Sequence, residues 1–518
     1  MSLFKSAATV GGYTTVSRIL GFIRDQLVAF TLGTGGVAEA FFIAQRIPNL
    51  FRTLFAEGAF NAAFVPLFAK RVEGDGIESA HSFAHDVFSA LLVWMVFFTS
   101  LAMIAMPWLI YVIAPGFKGS PDKIALATNL TIICFPYLLF MSLTALQGGV
   151  LNSLHKFTAA AAAPILLNLV MIASNIVAWY FGTGNSATTG YIFAYGVSLS
   201  GVAQFVLLAI ACRRAGLNFW PRWPKFTSDV KQVATRSVPG IISGGIMQIN
   251  LLIATMIATG LDRAVAKLYY AERLYQIPLG IIGVAIGVVL LPTLSRKLRA
   301  GDDQGAIDAS NRGLELSLFL TLPAATALMT IAVPILHTVF EHGAFRYTDT
   351  LAVAPAVAAF ASGLPAFALT KVFQPGFYAR EDTASPMRFS IISVIVNILA
   401  SLALSRYFGH VGIAMATSLA AWTNAILLGL KLHQLKHFHF DARSKKRLPL
   451  IILSSIFMAG VLLSATWLLR GSFTEDSHFI HSIYGLTLVV AAGMLSYFAV
   501  AQSIGAFQIS ELRAAMKR

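Results

Sequence analysis

Six basic side chains, Arg18, Arg24, Arg46, Arg52, Arg273 and Lys371, stand inside stretches whose other residues are mostly apolar. A basic residue at a bilayer centre costs roughly 2.5–3.5 kcal/mol on insertion scales, so six together cost on the order of 15–20 kcal/mol. A helix bundle tolerates such a set when it faces a hydrated cavity and meets an anion there. The neighbouring carboxylates offer a plainer account, internal pairing: Arg18 or Arg24 with Asp25, Arg46 with Glu39, and Arg273 with Glu272 or Glu57. Such buried pairs contribute modestly to stability. Four acids face six bases, however, and the surplus predicts a doubly charged anionic ligand. Arginine suits that task because its planar fork holds two oxygens of one phosphate.

The elements that must position these groups read as helices. At about 100° per residue, Glu39, Arg46, Asn49, Glu57 and Asn61 fall within about 60° of Arg46, a polar stripe on an apolar helix, and Arg52 lies about 120° round from it. Helix 1 adds Ser17, Arg18, Arg24 and Asp25, helix 8 adds Glu272 and Arg273, and helix 10 adds Lys371 and Gln374. Pro48, Pro278 and Pro375 stand beside these charges and predict bends.

With 57% hydrophobic and 12% charged residues and a mean hydropathy of +0.73, the chain reads as an all-α polytopic membrane protein. We expect fourteen transmembrane helices, opening with 4–31 and 36–68, closing with 448–469 and 480–503, and including 123–153, 309–339 and 348–378. The first of these holds Arg18, Arg24 and Asp25, unlike the unbroken apolar core of a cleaved leader, and is expected to be retained. The net charge of +15 is mostly topological: roughly 25 Lys and Arg occupy the even-numbered loops and the tails, and about seven the odd-numbered loops, which places both termini in the cytoplasm. Nucleic acid is therefore not an expected partner. Cys134 and Cys212 lie in or at the end of apolar helices and predict neither disulfide nor metal site. His433, His437 and His439 have ligand-like spacing but stand among lysines, as on a solvated face. No catalytic constellation emerges, so the chain does not read as an enzyme. No Gly-rich phosphate loop ending in Lys and Ser or Thr appears either, which argues against ATP as direct energy source.

The chain also repeats itself at an offset of about 227 residues. Ala44-Gln45-Arg46-Ile47 falls on Ala271-Glu272-Arg273-Leu274, Gln147 and Gly149 fall on Gln374 and Gly376, and Tyr180-Phe181-Gly182 falls on Tyr407-Phe408-Gly409. Pro164 and Asn175 match Pro386 and Asn397 after a shift of about five. Six helices per copy return the chain to the same side, which predicts two six-helix lobes, 1–218 and 219–440, related by a pseudo-two-fold axis along the membrane normal. Such folds hold substrate between the halves. Two further helices occupy 441–518.

The run Arg46-Ile47-Pro48-Asn49-Leu50-Phe51-Arg52, continued by Leu54-Phe55-Ala56-Glu57-Gly58-Ala59-Phe60-Asn61-Ala62-Ala63-Phe64-Val65-Pro66, resembles the signature of the MurJ/MviN family. So do Ser17-Arg18-Ile19-Leu20-Gly21-Phe22-Ile23-Arg24-Asp25, Tyr269-Tyr270-Ala271-Glu272-Arg273-Leu274 and Gln374-Pro375-Gly376-Phe377-Tyr378-Ala379-Arg380. The resemblance covers essentially the whole chain. It implies a flippase of the multidrug/oligosaccharidyl-lipid/polysaccharide exporter superfamily, which carries lipid II, the undecaprenyl-pyrophosphate-linked peptidoglycan precursor, from the inner to the outer leaflet of the bacterial cytoplasmic membrane. It further implies that Arg18, Arg24, Arg52 and Arg273 bind pyrophosphate with Asp25 nearby, and that the last two helices form a groove for the polyprenyl tail. Membrane lipids and cell-wall synthesis proteins are the other partners it implies. Some relatives use a sodium site with carboxylates on helices 7 and 11. Here Gln248, Asn250 and Asn397 stand there instead, so no cofactor or metal is expected and the membrane potential is the expected driver. A flippase for another undecaprenyl-linked glycan, O-antigen or capsule, is the alternative. A drug exporter fits less well, because a cationic drug is repelled by a positive cavity.

Overall fold

The computed structural model describes residues 3–54, 60–225, 227–475 and 477–507. Among them are eighteen α-helices, and ten segments are long and apolar enough to cross a membrane. The chain is thus an all-helical, multi-pass membrane protein. The long charged helices stand apart from those ten. α1 (Leu3–Leu32), α2 (Gly36–Arg52) and α10 (Ala264–Arg299) carry five of the six basic groups, whereas Lys371 sits within an apolar segment, Tyr347–Tyr378.

Three of the fourteen expected stretches are broken, and in a fourth, 36–68, residues 55–59 lie outside the described residues. The expected 36–68 appears as α2 and α3 (Phe60–Gly74), and 123–153 as α5 (Pro121–Cys134) and α6 (Pro136–Ser153). Likewise 309–339 divides into α11 (Asp303–Thr330) and α12 (Ala332–Phe340), and 348–378 into α13 (Tyr347–Ser362) and α14 (Leu364–Tyr378). Pro136 and Pro365 occupy first-turn positions of the new helices, where a missing N–H costs nothing. Pro48, Pro278 and Pro375 instead lie inside continuous helices.

The helices gather into two compact units, residues 1–266 with 342–345, and 267–341 with 346–518. In the first, α5 and α6 pack on α8 (Ala187–Arg214), and α6 also meets α4 (Gly76–Ile113). α7 (Phe157–Tyr180) lies between α1 and α8. α9 (Ser228–Thr259) packs on α3 and α4, where Val230 and Val233 meet a cluster of Phe60, Phe64, Phe68 and Phe83. In the second unit, α13 and α14 pack on α16 (His410–Gln434), α14 meets α11, and α15 (Ala384–Phe408) pairs with α16. α17 (Ala442–Leu468) and α18 (Phe479–Ser503) form a hairpin on α11 and α12. The repeat boundary at 218/219 and the packing boundary at 266/267 differ by one helix, α9.

The matched glycines of the Tyr-Phe-Gly segments both have positive φ, 63° at Gly182 and 56° at Gly409, a region that favours glycine. The matched Asn175 and Asn397 are both buried. A tight approach in the first unit also demands glycine. A Cβ on Gly116 would lie 2.0 Å from the carbonyl oxygen of Thr259, and the Gly116 N–H donates to Thr259 Oγ1 at 3.2 Å. Gly116→Ala is therefore expected to destabilise the protein by about 1–3 kcal/mol through overpacking, read as a lower unfolding temperature in detergent beside an unchanged Gly119→Ala control.

Candidate functional site

In the first unit the site is built on α1 and α7. Arg24 and Asp25 are both buried, and the Arg24 guanidinium donates to Asp25 Oδ1 through Nε at 3.1 Å and Nη2 at 2.8 Å. Its third donor, Nη1, reaches Asn168 Oδ1 at 3.0 Å. Asn168 in turn donates to the Ser17 carbonyl at 2.8 Å and to Ser17 Oγ at 3.3 Å. Close approach at this point is helped by Gly21, whose Cβ would meet the Asn168 amide at 3.5 Å. Arg24 is thus aimed by a carboxylate and an amide at once, a preorganised donor fork. Arg18, six residues earlier on α1, is exposed.

On α2 the described residues of the expected stripe, Glu39, Arg46 and Asn49, have different surroundings. Glu39 has no exposed surface and accepts from Lys123 of α5 and from the Val265 backbone N–H at 3.1 Å. The carboxylate expected beside Arg46 is thus held by Lys123, whose ammonium also lies 3.9 Å from the Phe117 ring centroid. Arg46 is half-buried beside Ile43, Leu50 and Leu251. Arg52 Nε donates to Asn49 Oδ1 at 2.9 Å, where both are accessible. Asn61 is on α3, its Oδ1 3.2 Å from the place of a Gly149 Cβ, and Glu57 lies outside the described residues.

In the second unit Arg273 is half-buried on α10. Its Nη2 donates to the Tyr269 hydroxyl at 3.1 Å, and the guanidinium lies 4.7 Å from that ring's centroid, a cation–π contact one turn away. Gln276 is within 3.5 Å of Arg273 Nη1 and donates to Glu272 Oε1 at 2.8 Å. Lys371 is exposed and Gln374 half-buried. Among the described residues no cluster of three or more His, Cys, Asp or Glu is placed to hold a metal.

The structure adds four residues to the predicted set, Asn168, Lys123, Tyr269 and Gln276. Asn168 could have been noticed as a lone amide in the apolar run Pro164-Ile165-Leu166-Leu167-Asn168-Leu169-Val170, and Tyr269 by its four-residue spacing from Arg273. Chemically, Arg24 and Arg273 are each a guanidinium held in fixed orientation, suited to an oxyanion carrying more than one charge.

A family model described as lipid II flippase MurJ matches residues 28–484. The chain belongs to the lipid II flippase MurJ family. A probable lipid II flippase MurJ of Rhizobium tropici is 45% identical over 100% of this chain and 97% of its own length. Among solved structures, a lipid II flippase MurJ in an inward closed conformation superposes with a TM-score of 0.77 at 24% identity, covering 95% of this chain and 98% of that one. An inward-facing multidrug resistance MATE transporter of the MOP superfamily is similar at a TM-score of 0.66 and 14% identity, covering 81% and 94%. These likenesses concern the fold. The family is one of transporters, and the chain is not an enzyme.

Proposed function

We propose that this chain is a flippase that moves lipid II from the inner to the outer leaflet of the bacterial cytoplasmic membrane by alternating access. The observation that carries the reading is full-length 45% identity to relatives named as such flippases. Arg18, Arg24, Arg52 and Arg273, with Asp25, are read as the pyrophosphate holders. What supports this is the built orientation of Arg24 by Asp25 and Asn168 and of Arg273 by Tyr269.

In the finer reading, fourteen crossings place both termini in the cytoplasm, and lobes 1–218 and 219–440 descend from one six-helix repeat. The positive φ common to Gly182 and Gly409 and the corresponding packing of α5 and α6 on α8 and of α13 and α14 on α16 support the repeat. The α17–α18 hairpin serves the polyprenyl tail. The driver is the membrane potential, worth about 2.3 kcal/mol per charge per 100 mV. Cell-wall synthesis proteins deliver or receive the cargo.

Depleting the protein in its own cell and measuring lipid II accessible on the outer face of the cytoplasmic membrane tests the reading. Outward lipid II is expected to fall and to return with the wild-type chain. Undiminished lipid II with loss of another undecaprenyl-linked glycan would assign that glycan as cargo.

A further inference from the structure

Between α8 and α9 the chain runs without regular structure through Leu217-Asn218-Phe219-Trp220-Pro221-Arg222-Trp223-Pro224-Lys225. Gly216, at φ 86°, turns the chain out of α8 in a conformation that suits glycine after a helix end. The first half of the segment is fixed to α4. Leu217 is buried, the Asn218 carbonyl is 2.9 Å from His81 Nε2, and the Trp220 N–H donates to His85 Nε2 at 3.4 Å. Phe219 stacks on Phe88 at 5.4 Å between centroids.

The second half is presented outward. Trp220 is 57% exposed and Trp223 93% exposed. Two prolines limit the backbone between and after them. From Arg213 to Lys225 the chain holds Arg213, Arg214, Arg222 and Lys225 and no carboxylate, and the Arg213 guanidinium lies 4.7 Å from the Trp220 ring centroid. Indole rings favour the headgroup level of a bilayer, and basic side chains beside a membrane helix are drawn to anionic lipid. The segment leaves a membrane-crossing helix, α8, so its rings start at the height where headgroups lie.

We propose that Trp220 and Trp223, with Arg213, Arg214, Arg222 and Lys225, form an interfacial anchor that seats in a layer of anionic phospholipid headgroups. Its position gives it a use. α9 begins at Ser228, capped by Thr227 Oγ1, which accepts the Val230 N–H at 3.4 Å, so the anchor sets the depth at which α9 enters the membrane. The assignment to the inner leaflet rests on the topology proposed above; the anchor itself rests only on the chain's crossing the membrane.

A nitroxide attached through a Pro221→Cys substitution, between the two rings, tests it in the full chain, because Cys134 and Cys212 are buried. In nanodiscs containing phosphatidylglycerol, power saturation is expected to place the label at the headgroup boundary, nearer oxygen than a water-soluble nickel chelate. Trp220→Ser with Trp223→Ser is expected to raise nickel collisions roughly threefold. Phosphatidylcholine discs at high salt should give a shallower label. An aqueous reading in both lipids, unchanged by the Trp substitutions, overturns the anchor and leaves the rings to a soluble partner. Reaction of the Pro221→Cys chain with an impermeant thiol reagent from outside intact cells would overturn the proposed topology alone, and the depth reading would still decide the anchor.

Discussion

Arg273→Ala is expected to reach the membrane at the wild-type level and to export no measurable lipid II. Arg273 is held by the Tyr269 hydroxyl and ring on its own helix, so truncation leaves a tyrosine with access to other partners and little cost to the fold. The loss falls on the ligand. Removing one partner of a desolvated, hydrogen-bonded charge pair costs about 2–5 kcal/mol, roughly a 30-fold to several-thousand-fold loss in transport. Arg273→Lys keeps the charge but not the fork and should recover only part. Tyr269→Phe, which spares the ring but not its hydroxyl, should fall between wild type and Arg273→Lys. Outer-face lipid II in depleted cells carrying each variant is the measurement, with membrane abundance as control. Full export by a well-inserted Arg273→Ala chain would remove Arg273 from the pyrophosphate set.

The second large effect separates support from binding at Arg24. Arg24→Ala takes two donors from the buried Asp25 carboxylate and is expected to destabilise the protein by about 3–5 kcal/mol. Arg24→Ala with Asp25→Ala removes both charges and should regain much of that stability, since replacing a buried pair is often close to neutral. If Arg24 serves the ligand, the double variant stays inactive although it is folded. Thermal unfolding in detergent and export in cells, run on the three chains, give the two readings separately. Export restored together with stability would make the Arg24–Asp25 pair structural only.

Much of this architecture was legible because membrane helices announce themselves by length and apolarity, as in 480–503, which appears as α18 (Phe479–Ser503), and 448–469, which overlaps α17 (Ala442–Leu468). The three breaks were less legible. At Gly363 the local Pro365 is joined by a tertiary demand, since a Cβ on residue 363 would stand 2.6 Å from Ser418 Oγ, and nothing near residue 363 in the chain reports Ser418. The same limit applies to the site. Arg24 and Asp25 are neighbours and their pairing could be read locally, but Asn168 is 144 residues away. Lys123 was counted among loop charges because it stands near the start of α5, and its contact with Glu39 depends on how α2 and α5 pack. The angular argument for one polar stripe on helix 2 runs through residues 55–59, which lie outside the described residues between α2 and α3.

The grip on Glu39 bears on kinetics. One fully enclosed carboxylate takes both the Lys123 ammonium and the Val265 N–H, so drawing residue 265 away strips a donor from an anion that water does not reach. Half-release is the least favourable arrangement, because an under-solvated charge costs more than either the gripped or the hydrated one. Departure from this state should then be rare, abrupt and steeply temperature-dependent, with long dwells instead of a graded drift.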